Sequence, residues 1–345
     1  MHPMTHPAGS AHRADPVGST GLALPLNLAL PVHGFVQVAA QAEAAGYDRL
    51  WAAEAGNNDA FGLLTAVALG TSTVRLATGV VPIYTRTPAL MAQCTATLQD
   101  VSGGRFTLGV GTSSKTIVEG WNGITYDKPL GRIREYVELV RRLLAWEKVE
   151  HTGAHYDVHG YQLLLNNPSP PSPIIIGALN EGMLRAGGEV ADGVCLNWIG
   201  AHAVAGALAH VQAGPRPTVN SCFVRVCVTE DVEAVQRWAR REVMSYVTVP
   251  AYRKAFGVQG WGAVTETAMT LWDGGDRKGA AASLPLEFLD TLVLAGSASD
   301  VQARFEAYRA AGVDEPVAFL VSGQTDPAAV RAELAATTAA LAPSA

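Results

Sequence analysis

The sequence predicts an α/β fold, a (β/α)8 TIM barrel with insertions after strands 4 and 7, on three observations. From Gly21 onward, apolar strand-like runs alternate with helical patterns, and eight such units can be counted. The chain, at 345 residues, has the length of one large barrel domain. Several strand-like runs end in glycine and small residues, at Gly79, Gly111 and Gly177, where a barrel places its binding loops.

The first strand is expected from Gly21 to Leu26, followed by a helix carrying Phe35, Val38, Ala39 and Ala42 at helical spacing and stopped by Gly46. The second runs from Asp48 to Ala53, and a helix from about Ala60 to Leu69 leads to the third, Val74 to Val80. Pro88 suits the first turn of a helix reaching Gln99, before the fourth strand, Arg105 to Val110. The next helix, about Gly131 to Trp146, sets Ile133, Tyr136, Val137, Val140, Leu143 and Leu144 on one face. Arg132, Arg134, Glu138, Arg141 and Arg142 lie largely opposite, as on an outer barrel helix rather than a nucleic-acid-binding one. A long excursion from Lys148 to Pro171 follows. Within it His151, His155 and His159 sit four apart, but Gly153, Gly160 and the Tyr156/Val158 alternation indicate a hairpin rather than a metal-binding helix. The fifth strand is Pro173 to Ile176, the sixth Asp192 to Leu196 and the seventh Thr218 to Val228. Residues from about 230 to 295 are too many for one connection and read as an insertion able to cover the site as a lid. The eighth strand is Pro316 to Val321, and Asp326 to Leu341 forms the closing helix. Residues 1–20, rich in Pro, Gly, Ser and His without a continuous apolar segment, read as a disordered arm rather than a secretory signal, which leaves 21–345 as a single domain.

Composition narrows the function classes. Hydrophobic residues are 48% of the chain and charged ones 16%, yet no apolar run reaches the ~20 residues of a membrane span. The net charge of -6 offers no footprint for nucleic acid or anionic lipid. Cys94, Cys195, Cys222 and Cys227 show neither CxxC spacing nor the density of a disulfide framework, so buried thiols in a reducing cytoplasm are expected.

The residues after each strand are where chemistry would gather. The run Ser102 to Thr112 feeds a glycine turn into a short strand in which Phe106, Leu108 and Val110 alternate with Gly109 and Gly111, so the backbone at its tip can approach a flat ligand. After the second strand, Glu54, Asn57, Asn58 and Asp59 offer a carboxylate and two amides to a polar ring edge, or simply a capped turn. After the fifth, Gly177-Ala178-Leu179-Asn180-Glu181 opens a helix whose free amides suit a phosphate. Lys115 lacks the preceding glycine of a phosphate-cradling Walker loop. Arg86 reads as an anion clamp or an ion pair, and Trp198, Trp261 and Trp272 as pocket lining or packing.

The order SGGRFTLGVGT followed by KPLGRIREYVELVRRLLAWEKVEHTG resembles the luciferase-like oxidoreductase superfamily, and within it the branch that uses the deazaflavin coenzyme F420. The resemblance implies that the coenzyme lies over the ends of strands two to six, contacted by Glu54, Asn57, Thr78, Gly79, Val80, Gly111, Thr112, Ser113, Gly177, Ala178, Leu179, Asn180 and Asn197. It also implies a non-prolyl cis peptide between Gly79 and Val80 behind the ring. Glu54 is the first catalytic candidate, because Glu54-Ala55 stand where this branch usually has Asp-His. The implied activity is hydride transfer between the deazaflavin C5 and an organic substrate with a C=N, C=C or C=O bond. An FMN-dependent two-component monooxygenase of the same fold is the alternative, and a flavin-binding barrel without turnover a second one. A homodimer formed through the helices flanking strands two and three is implied as well.

Overall fold

The computed structural model describes residues 18–28, 30–56, 58–165, 170–215 and 217–343. Eight parallel strands close on themselves: β1 Gly21–Ala23, β2 Arg49–Ala52, β3 Arg75–Thr78, β4 Phe106–Gly111, β5 Ile174–Gly177, β6 Gly193–Asn197, β7 Ser221–Val228 and β8 Glu315–Leu320. Each pairs with the next, and β8 returns to β1 with Gly21 opposite Val317. Helices α1 Val32–Ala44, α2 Ala60–Leu69, α3 Pro88–Val101, α4 Pro129–Leu144, α5 Glu181–Val190 and α6 Ala201–Gln212 follow the first six strands in turn. After β7 come α7 Val232–Val247, α8 Pro250–Phe256, α9 Gly262–Asp273, α10 Arg277–Ala282, α11 Leu286–Leu292 and α12 Ala298–Ala310, and α13 Pro327–Ala340 follows β8.

Side-chain alternation divides each strand between two cores. Outward residues such as Leu50, Leu76, Val194 and Val224 join the core under the helices. Inward residues Ala23, Trp51, Ala77, Ile175, Cys195, Phe223 and Val317 form a separate cluster that fills the barrel axis. Below that layer Glu315 accepts hydrogen bonds from Arg49 Nη1 at 2.5 Å and Trp51 Nε1 at 2.7 Å, all three side chains being buried. Above it, one alternation further along the strands, stand Gly79, Gly177, Asn197, Arg225 and Phe319.

The differences from the expected elements have local causes. The first strand stops at Ala23, because Leu24 and Pro25 lead into a 3-10 turn at Leu26–Leu28. The third is broken: β3 ends at Thr78, the Gly79–Val80 peptide is cis as the resemblance implied, and Val81–Pro82 pairs with β4. The α4 helix begins at Pro129, whose missing N–H costs nothing in a first turn, and its expected apolar face is buried. The excursion after α4 contains an antiparallel hairpin, Val149–Thr152 with Asp157–Tyr161. Its tip rests on α4, where Glu135 accepts the backbone N–H groups of His155 and Tyr156 and meets His151 Nε2 at 3.0 Å.

The long insertion after β7 is not wholly helical. Its strand Val293–Gly296 pairs with Arg225–Val228, whereas β6 pairs with Ser221–Phe223 alone. The β7 strand therefore parts from β6 after Phe223. Of the arm expected through residue 20, residues 1–17 lie outside the described residues, while Ser19 and Thr20 are buried and Thr20 N donates to Asp48 Oδ2 at 2.8 Å. No helix among the described residues is long and apolar enough to cross a membrane.

Candidate active site

Val80 organises one half of the barrel mouth. A Cβ added at Gly111 would lie 2.6 Å from Val80 Cγ2, and one at Gly177 would lie 3.3 Å from both Val80 methyls. A Cβ at Gly109 would lie 1.9 Å from the Thr78 carbonyl oxygen. The glycines thus do something other than leave open space for a ligand: Gly111 and Gly177 let the Val80 side chain sit between the ends of β4 and β5, and Gly109 admits the Thr78 carbonyl. What remains at the mouth is the Gly79–Val80 bulge, Gly79 buried and Val80 half-buried, backed by Phe223 and Trp51, which stand 2.5 Å and 2.8 Å from where a Gly79 Cβ would be. Gly79, Gly111 and Gly177 therefore surround a single residue at one end of the barrel.

Thr78 holds the break together. Its hydroxyl donates to the Gly109 carbonyl at 2.8 Å and accepts from the Gly109 N–H at 2.8 Å, replacing ladder bonds that the cis peptide interrupts. The Thr78 side chain is fully buried and clasps two strands. Ala178 is buried, and its amide donates to the Cys195 carbonyl at 3.1 Å. Thr112, Ser113, Leu179, Asn180 and Asn197 line the rim half-buried, and Ser113 adopts φ 59, a left-handed conformation that a side chain rarely takes. Asn57 lies outside the described residues.

Glu54 is held on both oxygens. Arg86 Nη1 reaches Oε1 at 2.6 Å and Nη2 reaches Oε2 at 2.9 Å, a bidentate pair, while Ala60 N donates to Oε2 at 3.0 Å. Arg86 also meets Asp59 Oδ1 at 2.5 Å and lies over the Phe61 ring. Burial works to lower the Arg86 pKa, but the Glu54 hydrogen bonds and the charges of Glu54 and Asp59 outweigh it and hold the guanidinium above its ordinary range. Of the two readings for Arg86, the structure shows the ion pair. A carboxylate so engaged fixes the β2–α2 loop.

At the start of α5, Asn180 caps the helix without a side-chain bond to its amides. Its Nδ2 donates to the Ala251 carbonyl at 3.0 Å, and its Oδ1 is buried without a partner. The first-turn amides of Glu181 and Gly182 are the donors that a helix end leaves free. The Glu181 carboxylate, which would repel an anion there, is drawn aside by Arg185 at 3.0 Å.

The opposite half of the mouth is polar and was largely missed in the sequence. Arg225 is buried, its Nη1 donates to Asn197 Oδ1 and to the Phe223 carbonyl, and its guanidinium lies over the rings of Trp198, at 3.8 Å from the centroid, and Phe319, at 4.7 Å. Asn197 Nδ2 in turn donates to Tyr252 Oη at 3.2 Å. Trp198, with φ 53, packs its ring 4.8 Å from that of Tyr246, and its carbonyl accepts from Gln259 Nε2. Tyr246, Ala251, Tyr252 and Gln259 belong to the insertion, which therefore covers the ends of β5 and β6. The signal for Arg225 was present in the run Ser-Cys-Phe-Val-Arg-Val-Cys-Val: one charge at an inward position of an otherwise apolar strand.

Cys195 and Cys222 are buried thiols: burial raises the pKa of both, to about 12 for Cys222. Among the described residues no group of three or more His, Cys, Asp or Glu side chains is placed to hold a metal.

This geometry has relatives. A 5,10-methylenetetrahydromethanopterin reductase of Archaeoglobus fulgidus is 31% identical over 290 residues, 80% of this chain and 86% of the relative. A Mycobacterium tuberculosis protein with the provisional name coenzyme F420-dependent oxidoreductase is 29% identical over 316 residues, 83% of this chain and 90% of its own. The structure of the coenzyme F420 dependent tetrahydromethanopterin reductase of Methanopyrus kandleri superposes with a TM-score of 0.73 at 21% identity, covering 94% of this chain and 97% of the other, and shares its fold. The family model for luciferase-like monooxygenases matches residues 9–315, and the chain belongs to that family.

Proposed function

We propose that the protein is a coenzyme F420-dependent oxidoreductase that moves a hydride between the deazaflavin and a small organic substrate, across a C=N, C=C or C=O bond. The observation that carries this reading is the Gly79–Val80 bulge, raised at the mouth because Val80 is sunk between Gly111 and Gly177. It gives a flat ring a firm backing on one side and leaves the other side facing Asn197, Arg225 and Phe319. The names of the Archaeoglobus and Mycobacterium relatives support the choice of coenzyme and chemistry.

The residues fit the group. Val80 and Gly79 would back the ring, the rim hydroxyls of Thr112 and Ser113 and the amide of Asn180 would meet its polar edge and tail, and the first-turn amides of α5 would hold a tail phosphate. The unpartnered Asn180 Oδ1 is a further buried acceptor at that edge. When bound, the deazaflavin supplies the hydride chemistry at C5. The chain's own contribution is positional: Glu54 and Arg86 fix the loop after β2, and Tyr252 and Gln259 fasten the insertion to β6, excluding water from the mouth.

The test is a pair of titrations, with F420 and with FMN, while oxygen uptake is followed. F420 is expected to bind and to exchange electrons with an imine, enone or aldehyde acceptor without oxygen consumption. Tight binding of FMN with oxygen uptake would contradict the proposal.

A further inference from the structure

A buried arginine at the mouth has no counter-charge. Among the described residues no carboxylate forms an ion pair with Arg225, and both of its hydrogen bonds run from Nη1 to neutral oxygens. Its side chain is 4% exposed. Isolating a cation in this way is costly, and burial does push the Arg225 pKa below its ordinary range, with only weak support from Tyr246, Tyr252, Cys222 and Glu242 in the other direction. A guanidinium lying over two rings has its faces taken, which leaves the N–H edge, here Nε and Nη2, for a further ligand.

The surroundings supply donors in excess. Tyr252 Oη receives the Asn197 amide hydrogen bond, and its own proton has no acceptor among the described residues; burial raises its pKa to about 12, so the proton stays. Trp198 Nε1 is buried without a partner. The β7 strand parts from β6 at Phe223, two residues before Arg225, and from Arg225 onward it pairs with Val293–Gly296 instead, so the guanidinium stands where the β6 ladder ends. By strand alternation Arg225 stands one layer above Phe223, the residue that backs the Gly79–Val80 bulge.

We propose that Arg225 is a substrate-binding residue, its Nε/Nη2 edge receiving a carboxylate carried by the organic substrate, with Tyr252 as a second donor. This rests on the oxidoreductase reading above and adds to it a chemical class of substrate: a planar organic acid, held by its carboxylate at the ends of β6 and β7 with its reducible bond toward the bulge. Nε and Nη2 form the parallel pair of N–H groups that matches the two oxygens of a carboxylate.

The test uses the full chain without coenzyme, titrated with sodium benzoate, with benzamide as its neutral counterpart and with inorganic phosphate. Tryptophan fluorescence and the shift in melting temperature are read together. Benzoate is expected to bind, benzamide not, and Arg225→Gln to weaken benzoate by ~10-fold or more. Arg225→Lys, which keeps the charge and loses the fork, is expected to weaken it as well and serves if the glutamine variant does not fold. Equal binding of benzoate and benzamide, unchanged benzoate affinity in both variants, or preference for phosphate would overturn the proposal. F420 is titrated in parallel. Loss of F420 binding together with benzoate binding in folded Arg225→Gln would assign the guanidinium to the coenzyme and also overturn it. Failure of the wild-type protein to bind F420, with benzoate binding intact, would instead reject the oxidoreductase reading alone.

Discussion

Gly109 and Gly111 differ by one alternation of the same strand and predict different failures. At Gly109 an added methyl meets the Thr78 carbonyl, which is backbone and fixed by the Thr78 clasp, so Gly109→Ala is expected to abolish folding in soluble expression. At Gly111 it meets a Val80 methyl, which can turn at a modest cost. Gly111→Ala is therefore expected to fold with unchanged circular dichroism and to bind F420 roughly tenfold more weakly, about 1.4 kcal/mol. At the other end of the barrel, Glu315→Ala strips the acceptor from Arg49 and Trp51, and losing one partner of a buried pair costs about 3–5 kcal/mol. Denaturant melts should show that loss. Both glycines were legible in the sequence as a bare strand tip, but the reason for them was not, because the Thr78 carbonyl that demands Gly109 and the Val80 side chain that demands Gly111 lie some thirty residues earlier.

Single contacts also govern how elements join. Glu43, on α1, accepts the backbone N–H groups of Ser72, Thr73 and Val74, which ties α1 to the entry of β3. Burial opposes its charge, and the three backbone hydrogen bonds outweigh that and bring its pKa from 4.5 to about 2. A carboxylate depressed in the folded state stabilises above its unfolded pKa and loses that contribution as pH falls. The deficit of Glu43→Gln, roughly 1–3 kcal/mol at neutral pH, should therefore shrink between about pH 4.5 and 2. A constant deficit across that window in paired denaturant melts would reject the role. The helices were the most legible elements: the apolar stripe of α4 and the Thr87-Pro88 start of α3 are local signals. Strand ends were less so. The break after Thr78 and the attachment of Val293–Gly296 to β7 depend on partners distant in sequence. The mouth was readable where glycines mark it, and Asn197 and Trp198 were named one by one, but their relation to Arg225 was not legible, because it exists only once β6, β7 and the insertion meet.

Across the whole molecule the barrel mouth has two characters, a glycine-lined floor on β3 to β5 and a donor-rich wall on β6 to β8. A ring backed by the first would leave its open face toward the second, which is the arrangement that hydride transfer to a held acid requires. The outer surface carries a separate expectation. Leu69 at the end of α2 is 77% exposed and Leu90 on α3 is 45% exposed, both on helices flanking β3, where the resemblance to the family implies a homodimer. Leu69→Asp with Leu90→Asp should sediment as a monomer while the wild type sediments as a dimer, and a monomeric wild type would remove the dimer from the account. A crystal structure of the protein soaked with F420 decides where the coenzyme lies. The tricyclic ring is expected in van der Waals contact with Gly79 and Val80, its tail reaching the start of α5, and its free face toward Arg225. A ring bound elsewhere, or one whose face against the bulge is separated from it by solvent, would contradict it.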